Sequence, residues 1–141
     1  NLKNEVTRSG AILREIKGPT PICPGAYSTG TLGSAIKEQS LVIERAEGLV
    51  LVTGCAHPGV LSIIRSVKSS SNQDIYLVMG GFHLLDLSPE ELQEIADRFK
   101  ESGVKKVGPS HCSGDLTREL FAQEYKQDLV EVGVGKTISF P

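Results

Sequence analysis

The sequence holds only three histidines, and each stands in a glycine-rich stretch: Gly54-Cys55-Ala56-His57-Pro58-Gly59, Gly80-Gly81-Phe82-His83, and Gly108-Pro109-Ser110-His111-Cys112-Ser113-Gly114. Imidazole moves protons near neutral pH, and it binds borderline divalent metals. Thiolate binds the same ions. The first and third stretches together supply two histidines and two cysteines. Their spacing matches no compact zinc finger, which takes its cysteines and its histidines from closely spaced pairs. Any shared site must therefore be assembled by the fold. Residue type alone leaves plainer roles open. A histidine in a glycine-rich turn often caps it or faces solvent, Cys112 is also a small hydrophobe suited to burial, and Cys23 sits in a proline-rich loop.

The elements that must position these residues read as α/β. Residues 10–16 are expected to form a strand, and 17–34, rich in Gly, Pro, Ser and Thr, a long loop. Residues 39–45 and 49–54 read as two strands joined at Gly48, and 75–81 as a buried strand. A helix from about Pro58 to Lys68 places Val60, Ile63, Ile64 and Val67 on one face. The helix over 88–103 has Ser88 as its cap, Pro89 in the first turn, Glu91 completing a capping box and Gly103 as its stop. Residues 104–110 read as a short strand, 115–125 as a helix with Leu116, Leu120 and Phe121 inward, and 128–140 as two further strands. Every histidine then lies in a loop that leaves a strand and enters a helix. In a parallel sheet such loops gather outside the carboxyl ends of the strands, where small-molecule sites form.

Other properties bound the reading. A chain of 141 residues is one domain or part of one. Net charge is −2 and no basic cluster exceeds Lys105-Lys106, so no nucleic-acid footprint is evident. No apolar run approaches the ~20 residues that span a bilayer, and the first ten residues are polar. Three cysteines without framework spacing suit a reducing, cytoplasmic setting. The Gly-Gly at 80–81 and Gly-x-Gly at 133–135 lack the full nucleotide-binding fingerprint.

Taken in order, "GLVLVTGCAHPGV", "MGGFHLL" and "GPSHCSG" resemble the C-terminal half of a metallo-β-lactamase-fold hydrolase. The resemblance is to the dihydropterin–ribofuranosylaminobenzene phosphate synthase-like branch and covers roughly residues 25–140. It implies an α/β fold, part of an αββα sandwich with a mixed sheet and metals at one edge, and hydrolysis by metal-activated water. It implies His57 and His111 as metal ligands, with Cys55 near the place where relatives put a bridging aspartate. His83 would bind substrate or shuttle a proton, Phe82 would wall the pocket, and the helix opening at Gly114 and Asp115 would receive an anionic group. The expected cofactor is a divalent metal, zinc foremost, with iron or manganese as other occupants.

The superfamily's leading His-x-His-x-Asp-His motif has no counterpart here, because no histidine precedes His57. Residues 1–141 are thus expected to form a partial fold, inactive alone, whose site is completed by an N-terminal half or a second copy. The expected substrate is a small, anionic molecule. Two alternatives stand beside this reading: a non-catalytic binding or assembly module derived from such an enzyme, and a structural zinc site of Cys55, His57, His111 and Cys112.

Overall fold

The computed structural model describes residues 2–140. Apolar, β-branched runs build a six-stranded sheet: β1 Thr20–Cys23, β2 Ala26–Ser28, β3 Leu41–Arg45, β4 Gly48–Thr53, β5 Ile75–Gly81 and β6 Lys106–Ser110. The strands lie side by side in chain order. β1 to β4 pair antiparallel, and β4, β5 and β6 run parallel. Parallel neighbours need crossovers, supplied by α2 (Val60–Ser70) and α3 (Pro89–Glu101), while α4 (Asp115–Tyr125) follows β6 and α1 (Leu2–Arg8) precedes the sheet. The three loops that carry the histidines consequently open at one edge of the parallel part of the sheet.

The helices cover one face. Val60, Ile63, Ile64 and Val67 of α2, Leu92, Ala96 and Phe99 of α3, and Phe121 of α4 join Leu49, Leu51, Ile75, Val78 and Val107 in one buried core. Val50 and Leu77 are fully buried but lie outside that cluster, on the opposite face by strand alternation. Part of this second face is covered by the chain itself. The Val130 N–H donates to Val107 O at 2.7 Å, and Phe140 packs edge-on to Tyr76 beneath the Arg45 guanidinium. A Cβ on Gly108 would stand 2.6 Å from Val132, so glycine is what lets this segment lie flat on β6.

The helix signals are met most fully in α3. Ser88 Oγ accepts from the Glu91 N–H, and the Glu91 carboxylate accepts from the Ser88 N–H at 2.9 Å. Ser88→Ala removes one half of this reciprocal cap and is expected to cost about 1 kcal/mol, read by urea denaturation with an unchanged m-value.

Four expectations are corrected. Residues 10–16 form no strand: Ile12 and Leu13 are adjacent, so alternation would put them on opposite faces, and both are exposed. The loop expected over 17–34 contains the β1–β2 hairpin, which turns at Pro24-Gly25 with Gly25 at a φ of 77°. Residues 128–140 form no ladder, and only Leu129 bridges to Val107. In α4 the buried stripe is Thr117, Phe121 and Tyr125, while Leu116 is exposed, one position off that face. Among the described residues, no helix is long and apolar enough to cross a membrane.

Candidate metal centre

Two glycines at the end of β5 allow the three loops to converge. Gly80 has a φ of 122°, and a Cβ there would lie 2.2 Å from Thr53 O. A Cβ on Gly81 would lie 2.4 Å from Gly54 O and 2.8 Å from Cys112 Sγ. With no side chain in the way, the Gly81 N–H donates to Gly54 O at 3.0 Å, and Thr53 Oγ1 donates to Gly81 O at 2.8 Å. The β6 loop is tied in by Ser113, which is fully buried. Its hydroxyl accepts from the Phe82 N–H at 3.1 Å and donates to Ser110 O at 2.7 Å.

The convergence holds backbone out of its ordinary range. Ala56, His83 and His111 sit at φ values of 60°, 55° and 50°, one in each loop. Non-glycine residues in this left-handed region cost on the order of 1 kcal/mol each. Such strain persists only where the surrounding structure over-determines it.

The donor atoms collect around Cys55. Its Sγ, a ring nitrogen of His111 and Cys112 Sγ lie within 4.8 Å of one another. The same sulfur also lies within 4.8 Å of a ring nitrogen of His57 and a carboxylate oxygen of Glu38. Cys55 therefore joins the β4 loop to the β6 loop, with a ring nitrogen of His57 and one of His111 each within 4.8 Å of its sulfur. His83 stacks obliquely on His57, with ring centroids 4.4 Å apart. His83 and His111 are exposed, whereas Cys55, His57 and Cys112 are half-buried. Burial, followed by the neighbouring Cys112 thiol and the Glu38 charge, pushes the Cys55 thiol up, so that without an ion it keeps its proton.

The donor set suits a metal. A tetrahedral ion with bonds of about 2.0–2.3 Å separates its ligand atoms by roughly 3.3–3.8 Å. Within each trio the donors lie within 4.8 Å of one another, and His57 and His111 belong to different trios that share Cys55. Two thiols and imidazoles favour a borderline ion over calcium or magnesium.

The remaining expected residues are placed as follows. Phe82 is 1% exposed and packs in the core against Phe99 and Phe121, and only its edge reaches the cleft that His57, His83 and Ile95 line. Gly114, at a φ of 87°, caps α4 beneath Leu85, and Asp115 beside it pairs with Arg118. Cys23 is exposed on the β1–β2 hairpin and belongs to neither donor cluster. Glu38 was not expected at the site. Nothing local in "IKEQSLV" marks it as functional, and only the packing of residues 32–38 on the β4 loop brings it to His57.

Comparison with known proteins defines the class. The crystal structure of a metal-dependent hydrolase of the β-lactamase superfamily superposes with a TM-score of 0.78 and 27% identity, over 92% of this chain and 58% of that one. The fold is that of the metallo-β-lactamase superfamily.

Within it, the sequence matches the branch of 7,8-dihydropterin-6-methyl-4-(β-D-ribofuranosyl)-aminobenzene-5′-phosphate synthase. It is 38% identical to that protein of Methanocaldococcus jannaschii over 104 residues, 73% of this chain and 35% of the relative. An uncharacterized protein of the same organism is 38% identical over 65 residues, 46% of this chain and 24% of the relative. The chain thus spans about a third of the length of the synthase it matches. No protein-family model matches it.

Proposed function

We propose that these residues are the C-terminal portion of a metal-dependent hydrolase, contributing His57, His111 and Cys55 to a divalent-metal site. One observation carries this reading: the Cys55 sulfur lies within 4.8 Å of donors from both the β4 and the β6 loops. Zinc suits the sulfur and imidazole donors best, and iron and manganese also accept imidazole. When bound, a divalent ion supplies Lewis-acid chemistry, polarising the bond to be cleaved and making water a nucleophile at neutral pH.

The chain's own residues supply the surroundings. His83, exposed and resting on His57, exchanges a proton between substrate and solvent. Backbone N–H groups at the start of α4 receive an anionic group of a small substrate. The superfamily's two-metal site draws most of its ligands from a His-x-His-x-Asp-His motif, and no histidine precedes His57, so His57, His111 and Cys55 do not suffice for two ions. The set is completed by an N-terminal half or by a second copy of this chain.

The test measures metal uptake and hydrolysis together. The purified chain is expected to bind divalent metal at least tenfold more weakly after His57→Ala or His111→Ala, and to hydrolyse no phosphodiester, thioester or lactam. Turnover by this chain alone, abolished by chelator and by His57→Ala, would overturn the need for further ligands. Metal uptake indifferent to both substitutions would overturn the metal role. The trio Cys55, His111 and Cys112 favours a second reading, a structural ion without catalysis. That reading expects one tightly held zinc and unfolding on chelation.

A further inference from the structure

Glu38 makes two contacts with one histidine. Its Oε2 accepts from the His57 backbone N–H at 3.0 Å, and its Oε1 lies 2.5 Å from His57 Nδ1. An ionised carboxylate can only accept, so the proton in the second contact is carried by Nδ1. In the neutral ring that contact selects the Nδ1–H tautomer and leaves Nε2 with the one free lone pair. The side chains of His57 and Glu38 are 26% and 19% exposed, so water competes weakly for the pair.

The backbone is built to deliver this carboxylate. Leu32 and Glu38 exchange two hydrogen bonds, at 2.7 and 3.0 Å, closing the loop between them. Gly33, at a φ of 88°, lets that loop sit against Pro58, the residue after His57; a Cβ on Gly33 would stand 3.0 Å from Pro58 Cγ. Gln39, next along the chain, is held by Ser28 at 2.6 Å. The loop therefore fixes the position of Glu38 from both sides, independently of the histidine.

We infer that Glu38 is a positioning residue for His57: its carboxylate grips backbone and ring together, sets the ring's tautomer, and so determines which nitrogen can bind a ligand. The inference rests on the metal reading above only for its consequence, since the hold on the ring exists without an ion. Glutamine in this position offers one acceptor and one NH₂ donor. It cannot satisfy the backbone N–H and an Nδ1–H at the same time. If its oxygen keeps the backbone contact, its NH₂ faces Nδ1 and favours the opposite tautomer.

The test reads the tautomer directly. Nitrogen-15 NMR of the histidine rings is recorded on the metal-free protein in mildly alkaline buffer, the His57 signals being assigned by their loss in His57→Ala. Zinc affinity is measured in parallel by competition with a chromophoric chelator. The wild-type protein should show His57 protonated at Nδ1. Glu38→Gln and Glu38→Ala should move the proton towards Nε2, leave His83 and His111 unchanged, and weaken zinc binding about 10–100-fold. A His57 signal identical in all three proteins would overturn the proposal. A tautomer shift accompanied by zinc affinity that even His57→Ala leaves untouched would uphold the hold of Glu38 on His57 and overturn the metal reading instead.

Discussion

Phe121→Ala is expected to lower the unfolding free energy by about 3–5 kcal/mol, the largest stability loss from any side-chain truncation proposed here. Phe121 is fully buried at the meeting point of three other rings. It stands edge-on to Phe99 at 5.3 Å, tilted against Phe82 at 6.0 Å and parallel to Tyr125 at 6.0 Å. Removing it leaves a cavity between α3, α4 and the end of β5 that aromatic neighbours cannot fill by small rotations. A domain of this size is stable by only 5–15 kcal/mol, so the variant should unfold roughly 10–20 °C below the wild type. Leu116→Ala, on the exposed side of the same helix, should change stability by no more than about 0.5 kcal/mol. Thermal and urea melts of the two variants make the comparison. Equal losses would mean that α4 is packed on a different face.

Gly81→Ala should damage the candidate metal centre more than it damages the fold. The added methyl would meet Gly54 O at 2.4 Å, Cys112 Sγ at 2.8 Å and the Cα of Cys55 at 3.2 Å. The two backbone contacts both belong to the β4 loop and cannot rotate away, so that loop must move off the end of β5 while the Cys112 side chain is pushed aside. Overpacking of this kind costs about 1–3 kcal/mol. Both displacements fall on Cys55 and Cys112, and the expected result is zinc binding weakened at least tenfold in a protein that still melts cooperatively. Calorimetric zinc titration beside a thermal melt distinguishes the outcomes. Undiminished zinc affinity in a folded Gly81→Ala protein would show that these loops need not touch to hold the ion.

The parts of this architecture that could be read from sequence are those whose cause is local. The α3 cap is written in Ser88, Pro89 and Glu91, and β4 and β5 in apolar runs too short for helices. The gathering of the histidine loops followed from strand-then-helix order, which the parallel pairing of β4, β5 and β6 bears out. What escaped depends on partners distant in the chain. Residues 10–16 have strand composition but no strand beside them among the described residues. Residues 128–140 have the same kind of composition, yet after the single bridge of Leu129 to Val107 they form no ladder, and Val132 lies close over Gly108. Glu38 reaches His57 across nineteen positions through a loop closed by two backbone bonds. No pattern of residue types announces such a contact.

The strand order has a consequence for how the molecule comes together. Every strand pairs with the one that precedes it in the chain, so the sheet can grow by accretion, each addition closing only one hairpin or one helical crossover. The antiparallel hairpins close cheaply and fast, whereas the two parallel crossovers, each spanning a whole helix, close more slowly. The donors around Cys55, however, come from loops on either side of the last two additions. Glu38, Cys55 and His57 are in place once β4 has formed, but His111 and Cys112 arrive only when β6 docks. An ion that requires both loops therefore cannot template the early sheet. Such an ion would be captured only after β6 has docked, and its uptake would report that step.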